Sequence, residues 1–434
     1  MDLIKYIRLE LLNKGADEVL VSEDNGINNQ IKFVNNRVVS ITAWNQKGIS
    51  IFVSKDQKIV STALKSFNKK DADEVIKQIL TLLKAVNPNE NYNGIANGPF
   101  NYKKIEDIYD RKIETLDGAD IVEETINTAL AEGAKRCSGV LEFGTGSNQL
   151  TGSNDINSES KGSNIYLSIR SFTDKDASGA GTVSSRILSK FDTKSCIRKT
   201  AEFATLAKNP QHINPGKYKV IFDPLPLAAL FNPLMEAASA FSVENGMSFF
   251  KDKLNSKVLN QKLTIYDDAT LANGPASRMY DDEGMPSQKT TIINSGVLKN
   301  FLHNTSTAAR FNTVSTANAG LISPDPSNIV IAPGKDKDVL HDGLYITNLW
   351  YTRFQNYSTG DFSTIPRDGI FLVKDGKIVK SVKDIRISDN MLKMFSNIKA
   401  IGASQEQIQS WEAEIPCLTP AMAIEDVNIT RSKE

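Results

Sequence analysis

Only three histidines occur in the 434 residues, His212, His303 and His341. A helix-borne zinc hydrolase needs two imidazoles one turn apart and a carboxylate base. Zinc acidifies its bound water only when about three protein ligands hold it and a fourth position stays open. These histidines stand tens of residues apart, and none lies in a His-Glu-x-x-His or His-Glu-x-x-x-His pattern. A helix-borne site is therefore excluded, while convergence of the three in space stays open. Cys137, Cys196 and Cys417 form no CxxC pair, which argues against a disulfide framework and a four-thiolate site. A reducing, cytoplasmic location is expected. Cys417 is either a reactive or metal-binding thiol or a small buried hydrophobe.

The densest polar cluster is Tyr280-Asp-Asp-Glu-Gly-Met-Pro, carrying Asp281, Asp282 and Glu283. Such a loop either presents carboxylates to a peptide or amine, or is a capped turn whose carboxylates accept backbone N–H groups. Arg353 in Tyr351-Thr-Arg-Phe and Arg367 in Pro366-Arg-Asp-Gly can clamp a carboxylate in bidentate fashion or pair within a core. The acidic and basic clusters could also answer each other. Gly144-Thr-Gly-Ser-Asn and Gly179-Ala-Gly-Thr lack the Gly-Lys-Ser/Thr of a phosphate cradle and read as turns or exposed strand edges. No Gly-x-Ser-x-Gly nucleophile elbow occurs there.

Lysine plus arginine equals aspartate plus glutamate at 51 each, so no global field gathers nucleic acid or anionic lipid. The 40% hydrophobic and 24% charged residues are ordinary for a globular chain of two or three domains. The N-terminus lacks the pattern of a signal peptide, and no apolar run is long enough to span a bilayer.

Leu3, Ile4, Ile7, Leu11 and Leu12 mark a first helix ending at Gly15. Strands are expected over 18–22, 29–34, 37–42, 48–53 and 58–63, with turns between them that include Asn45-Gln-Lys-Gly. Helices are expected over 71–84, 120–133 and 195–207, with strand-like pieces near Val140, Ile165 and Thr182. An apolar helix runs from about Leu225 to Phe241, and short strands dominate the remainder up to a helix near 388–394. The expected class is α+β: an N-terminal meander domain (1–100), a small middle α+β domain (101–212) and a β-rich C-terminal domain (213–434).

Gly15-Ala-Asp-Glu-Val-Leu-Val-Ser and Phe33-Val-Asn-Asn-Arg-Val-Val-Ser resemble the N-terminal domain of the TldD/PmbA peptidase family. The resemblance continues through Tyr280-Asp-Asp-Glu-Gly-Met-Pro, Asn294-Ser-Gly-Val-Leu-Lys-Asn-Phe-Leu, Ala308-Ala-Arg and Thr316-Ala-Asn-Ala-Gly. It extends to Arg367-Asp-Gly-Ile-Phe-Leu-Val-Lys-Asp-Gly and Ile398-Lys-Ala-Ile-Gly, so it covers nearly the whole chain.

In that family the TldD-type subunit carries a zinc-binding His-Glu-x-x-x-His helix, the TldE/PmbA-type subunit does not, and the two form a heterodimer that degrades unfolded peptides. The matching segment is Leu230-Phe-Asn-Pro-Leu-Met-Glu-Ala-Ala-Ser-Ala-Phe, in which Asn232 and Ala237 fall at the histidine positions and Glu236 is misplaced for the base. The region of the cysteine ligand, 405–411, holds no cysteine. The resemblance thus implies a TldE-like subunit without metal of its own, with zinc in a TldD-like partner, shaping a chamber for unfolded peptides. The candidate peptide contacts are Asp281, Asp282, Glu283, Arg310, Arg353 and Arg367. The rivals are a homodimeric peptide-binding or regulatory protein and a hydrolase with an unfamiliar site.

Overall fold

The computed structural model describes residues 2–320, 323–337 and 339–431. The first half comprises α1 (Leu3–Asn13), β1 (Glu18–Val34), β2 (Arg37–Lys55), β3 (Lys58–Leu64), α2 (Lys69–Ala85), α3 (Ala119–Ala131), β4 (Arg136–Gly152), β5 (Asn157–Phe172), β6 (Ser178–Ser185) and α4 (Thr193–Leu206). Asp2 caps α1, Asn68 caps α2 and Asp192 caps α4, each accepting a backbone N–H of the first turn.

The six strands form one antiparallel sheet in the order β3-β2-β1-β4-β5-β6. The expected break between 22 and 29 and the turn at Asn45–Gly48 do not exist. Their polar residues pair across β1 and β2 instead, Asp24 with Gly48 and Asn28 with Trp44. An extended strand with one wet face tolerates such residues as well as a turn does. The turns that do form, at Asn35-Asn36 and Asp56-Gln57, have both central residues at positive φ, as a tight hairpin requires.

The expected boundary near 100 separates two hydrophobic clusters but not two sheets. Ile7 and Leu11 of α1 with Ile76 and Ile79 of α2 pack on Val19, Val21, Ile51 and Val53. Val122 of α3 and Ile197 and Ala201 of α4 pack on Leu141, Leu167 and Ile169. Since β1 pairs with β4, the sheet runs unbroken beneath both. The glycine runs lie inside strands rather than in turns. A Cβ at Gly144 would come within 2.3 Å of the Ile27 carbonyl, and one at Gly179 within 2.2 Å of the Thr200 carbonyl. Glycine is there for close approach of backbones.

The second half comprises β7 (Gly216–Phe222), α5 (Pro224–Glu236), α6 (Ala240–Glu244), β8 (Ile265–Asp268), β9 (Lys289–Asn294), β10 (Val297–Leu298), α7 (Thr305–Arg310), β11 (Ile329–Ile331), β12 (Gly343–Ile346), β13 (Leu349–Asn356), β14 (Asp361–Pro366), β15 (Ile370–Lys374), β16 (Lys377–Ser381), β17 (Ile385–Asn390), α8 (Met391–Ser396), β18 (Ile398–Ser410) and β19 (Ala413–Arg431). Among the described residues these strands form a 13-stranded mixed sheet with β19 at its centre, bonded to β7, β11, β17 and β18.

The apolar helix expected to run to Phe241 is broken after Glu236, because Ser239 turns to extended backbone and restarts the chain as α6. Leu227, Leu230, Phe231 and Leu234 of α5 are fully buried against the sheet, and Phe231 stacks on Phe395 at 4.9 Å. Each such side chain contributes about 1.5–3 kcal/mol of burial, which explains a helix that is apolar all round. The class is α+β, as the sequence predicts. Among the described residues no helix is long and apolar enough to cross a membrane.

Candidate functional site

A cleft of about 1020 Å³ lies between the helix-free face of the first sheet and the C-terminal half. Alternation along β5 builds one wall: Ile165, Leu167 and Ile169 turn to the helices, while Asn164, Tyr166, Ser168 and Arg170 line the cleft. Tyr166 stands opposite Glu142 of β4 and Ser184 of β6, and Gln30 of β1 donates to Glu142 at 2.5 Å. Burial pushes the Tyr166 phenol up to about 12, so it remains a neutral O–H donor at neutral pH.

The facing wall carries Arg278, Trp350, Trp411, Glu412 and Glu414. Trp350 stacks on Tyr351 at 5.1 Å and meets Trp411 edge-on at 5.7 Å. The Arg367 guanidinium lies 3.9 Å from the Trp350 ring centre. Three buried groups lining this cleft have no hydrogen-bond partner among the described residues: the Trp350 indole N–H and the Thr182 and Ser184 hydroxyls.

Two ionic clusters tie the walls together. Asp368 receives Arg170 and Ser178 on Oδ1, each at 2.5 Å, and Asn348 on Oδ2 at 2.9 Å. Lys199 of α4 reaches Asp223 at 2.9 Å and Glu406 at 2.8 Å, and Tyr345 donates to Asp223 at 2.8 Å.

None of the six residues expected to contact peptide lines this cleft. Asp281 is buried as the organiser of its own turn: it accepts the N–H groups of Glu283, Met285 and Ala319 at 2.9–3.0 Å. Burial nevertheless lifts its pKa to about 6. Asp282 pairs with Arg278 at 3.0 Å, not with the distant arginines, so the two expected clusters do not answer each other. Glu283 takes the Thr305 N–H and hydroxyl on one oxygen, and burial followed by repulsion from Asp281 pushes it up to about 8.

Arg310 clamps Glu244 through two bonds of 2.7 Å, and with Glu283, Tyr92 and Phe241 it lines a second cavity of about 550 Å³. Arg353 is exposed, donates to the neighbouring Thr352 carbonyl at 2.8 Å and lies 5.4 Å from the Tyr351 ring centre. Sequence reasoning missed the polar face of the first sheet. Its signal is the period-2 alternation of Asn164-Ile-Tyr-Leu-Ser-Ile-Arg, which sorts one face for helices and the other for water or ligand.

The positions aligned with metal ligands lie on and just beyond α5. Asn232 is buried, and its amide donates to the Ala228 and Ile415 carbonyls at 3.0 and 2.9 Å while accepting the Ile415 N–H at 2.8 Å. Pro233 follows it and has no side-chain donor atom; neither has Ala237. Glu236 is exposed at the crowded end of α5, where desolvation and then the Glu414 and Asp325 carboxylates raise its pKa. This donor set does not fit a zinc centre.

The histidines do not converge: His212 faces Asp384 at 3.7 Å, whereas His303 is buried against Thr307 at 3.2 Å and held down at about 4, first by desolvation. Among the described residues no group of three or more His, Cys, Asp or Glu side chains is arranged to hold a metal ion. Cys417 is fully buried on β19 and its thiol is pushed up by desolvation, as suits a small hydrophobe.

Fold and site together define a two-sheet α+β protein with a polar cleft between the sheets and a buried apolar helix, α5, against the second. Residues 215–431 match the model of the PmbA/TldA metallopeptidase C-terminal domain, and the chain belongs to the TldD/PmbA family. It is 27% identical over 397 residues to an uncharacterized protein of Methanocaldococcus jannaschii, spanning 87% of this chain and 92% of that one. It is 34% identical over 202 residues to a metalloprotease of the same archaeon, a match covering 43% of either chain. The crystal structure of TldE from Thermococcus kodakarensis has the same fold, with a TM-score of 0.87 at 19% identity over 99% of each chain.

Proposed function

We propose that this chain is a TldE/PmbA-like subunit without metal of its own, which shapes the peptide chamber of a TldD/TldE-type zinc protease that degrades or processes unfolded peptides. Zinc belongs in this reading to a TldD-like partner. The observation that carries it is Asn232: where the resemblance places a histidine of the family's zinc helix, a buried amide is spent on the backbone of β19 and of its own helix. The cleft supports the rest of the reading, since hydroxyls, carboxamides and indoles without net charge hold extended backbone irrespective of side chains. Three cysteines free of disulfides favour the cytoplasm as the place of action.

The test combines metal analysis with peptidase assays on flexible peptides. The full chain alone is expected to carry no stoichiometric zinc and to cleave nothing, and activity is expected on adding a His-Glu-x-x-x-His subunit from the same host. Stoichiometric zinc together with cleavage in the absence of any partner overturns the proposal.

A further inference from the structure

Three arginines line the main cleft, and two are neutralised: Arg170 by Asp368 and Arg278 by Asp282. Arg186 is not. Among the described residues it forms no ion pair; its Nε donates to the Ser163 carbonyl at 3.0 Å and its Nη1 to the Ser277 carbonyl at 2.6 Å. Nη2 has no partner among the described residues, so part of the planar donor fork is unused. Desolvation without a counter-charge lowers its pKa to about 10, which marks a cation held in place rather than solvated.

The sheet is built to accommodate this group. Gly162 of β5 lines the cleft, and a Cβ there would lie 2.1 Å from Nη2, so the guanidinium occupies the space that any other residue would fill. Alternate residues of β6 lead up to it on the same side of the strand. The Thr182 and Ser184 hydroxyls both line the cleft, both are buried, and neither has a partner among the described residues.

A desolvated guanidinium with part of its donor fork unused is costly to hold without a partner. It is complementary to an anion with several acceptor lone pairs and a planar shape. We propose that Arg186 forms a carboxylate-receiving subsite of the cleft that takes the terminal or side-chain carboxylate of a bound peptide. The inference rests on the reading of the cleft as a peptide chamber.

The test uses fluorescence anisotropy on the full chain, together with any subunit that co-purifies with it. The probe is a fluorescein-labelled decapeptide of alanine, serine and glycine in three forms: free C-terminal carboxylate, C-terminal amide, and amide with one internal glutamate. A carboxylate-bearing form is expected to bind about ten-fold tighter than the neutral amide, and whether it is the free acid or the glutamate form identifies the source.

Arg186→Gln is expected to bring the carboxylate-bearing forms down to the affinity of the neutral amide. Gly162→Ala keeps the charge but displaces the guanidinium, with the same loss, and holds the test if Arg186→Gln does not fold. Equal binding of all three forms to the native chain overturns the subsite and leaves the chamber intact. Preference that survives both variants overturns it as well. Failure of every peptide to bind refutes the chamber reading and the subsite with it.

Discussion

The Asn232 carboxamide grips a single residue of the neighbouring strand from both sides: it donates to the Ile415 carbonyl at 2.9 Å and accepts the Ile415 N–H at 2.8 Å. The pairing joins α5 to β19 as a backbone ladder would. Asn232→Ala strands a buried N–H and a buried carbonyl. The expected cost is about 2–3 kcal/mol in chemical denaturation, with no change in metal content. A loss below the error of the measurement would show that the bridge is incidental.

Glu283 gives stability a distinctive pH dependence. Its folded pKa, about 8, lies above the value of an unfolded glutamate, so its contribution is fully present below the unfolded value and is lost as pH rises through the folded one. Between roughly pH 4.5 and 8 the native chain should lose stability relative to Glu283→Gln, on the order of 5 kcal/mol across the window. Parallel urea titrations at several pH values measure the difference. A difference that does not change with pH contradicts the assignment.

The Lys199–Asp223 pair joins α4 to the start of α5, and the Asp223 side chain is largely buried. Asp223→Ala leaves the Tyr345 hydroxyl without its acceptor and the Lys199 ammonium with Glu406 alone, and should cost about 3 kcal/mol. Adding Lys199→Met should recover part of that loss, because the buried ammonium that lost one of its two carboxylates goes with it. A double-mutant cycle showing simple additivity would exclude the coupling.

Trp411 is 64% exposed at the cleft and touches Trp350 edge-on, so its removal costs the fold little. Trp411→Ala should shift stability by less than about 1 kcal/mol while weakening binding of a neutral decapeptide roughly five- to ten-fold. Unchanged peptide affinity would place the binding surface elsewhere.

Elements with a clear period were readable from the sequence, and most elements whose form depends on distant partners were not. The stripes of α1 and α2 and the hairpin turns at Asn35-Asn36 and Asn294-Ser-Gly stand where local chemistry places them. The long arms of β1 and β2 were cut into pieces because their polar middles resemble loops. The β1 arm pairs with β4, more than a hundred residues away, and the β2 arm pairs in turn with β1. The acidic loop was conspicuous for its charge, yet Asp281 spends that charge on three backbone N–H groups. Arg186 drew no notice because its significance lies in what it lacks, a counter-ion, and that is a property of three-dimensional surroundings. That Ala237 offers no donor atom could be read from residue type alone, whereas the engagement of Asn232 with Ile415 could not.

The central position of β19 also dictates an order of events during synthesis. The first sheet is complete once Ser185 has emerged, and apart from β1 with β4 its pairings join strands consecutive in the chain. In the second sheet β19 separates the β8–β11 side from the β7–β12 side, so until residues 413–431 leave the ribosome the two sides have no common strand. During that interval α5, apolar on every side, waits without its cover. The stretch of translation between Pro224 and Arg431 is therefore when this chain depends most on a chaperone.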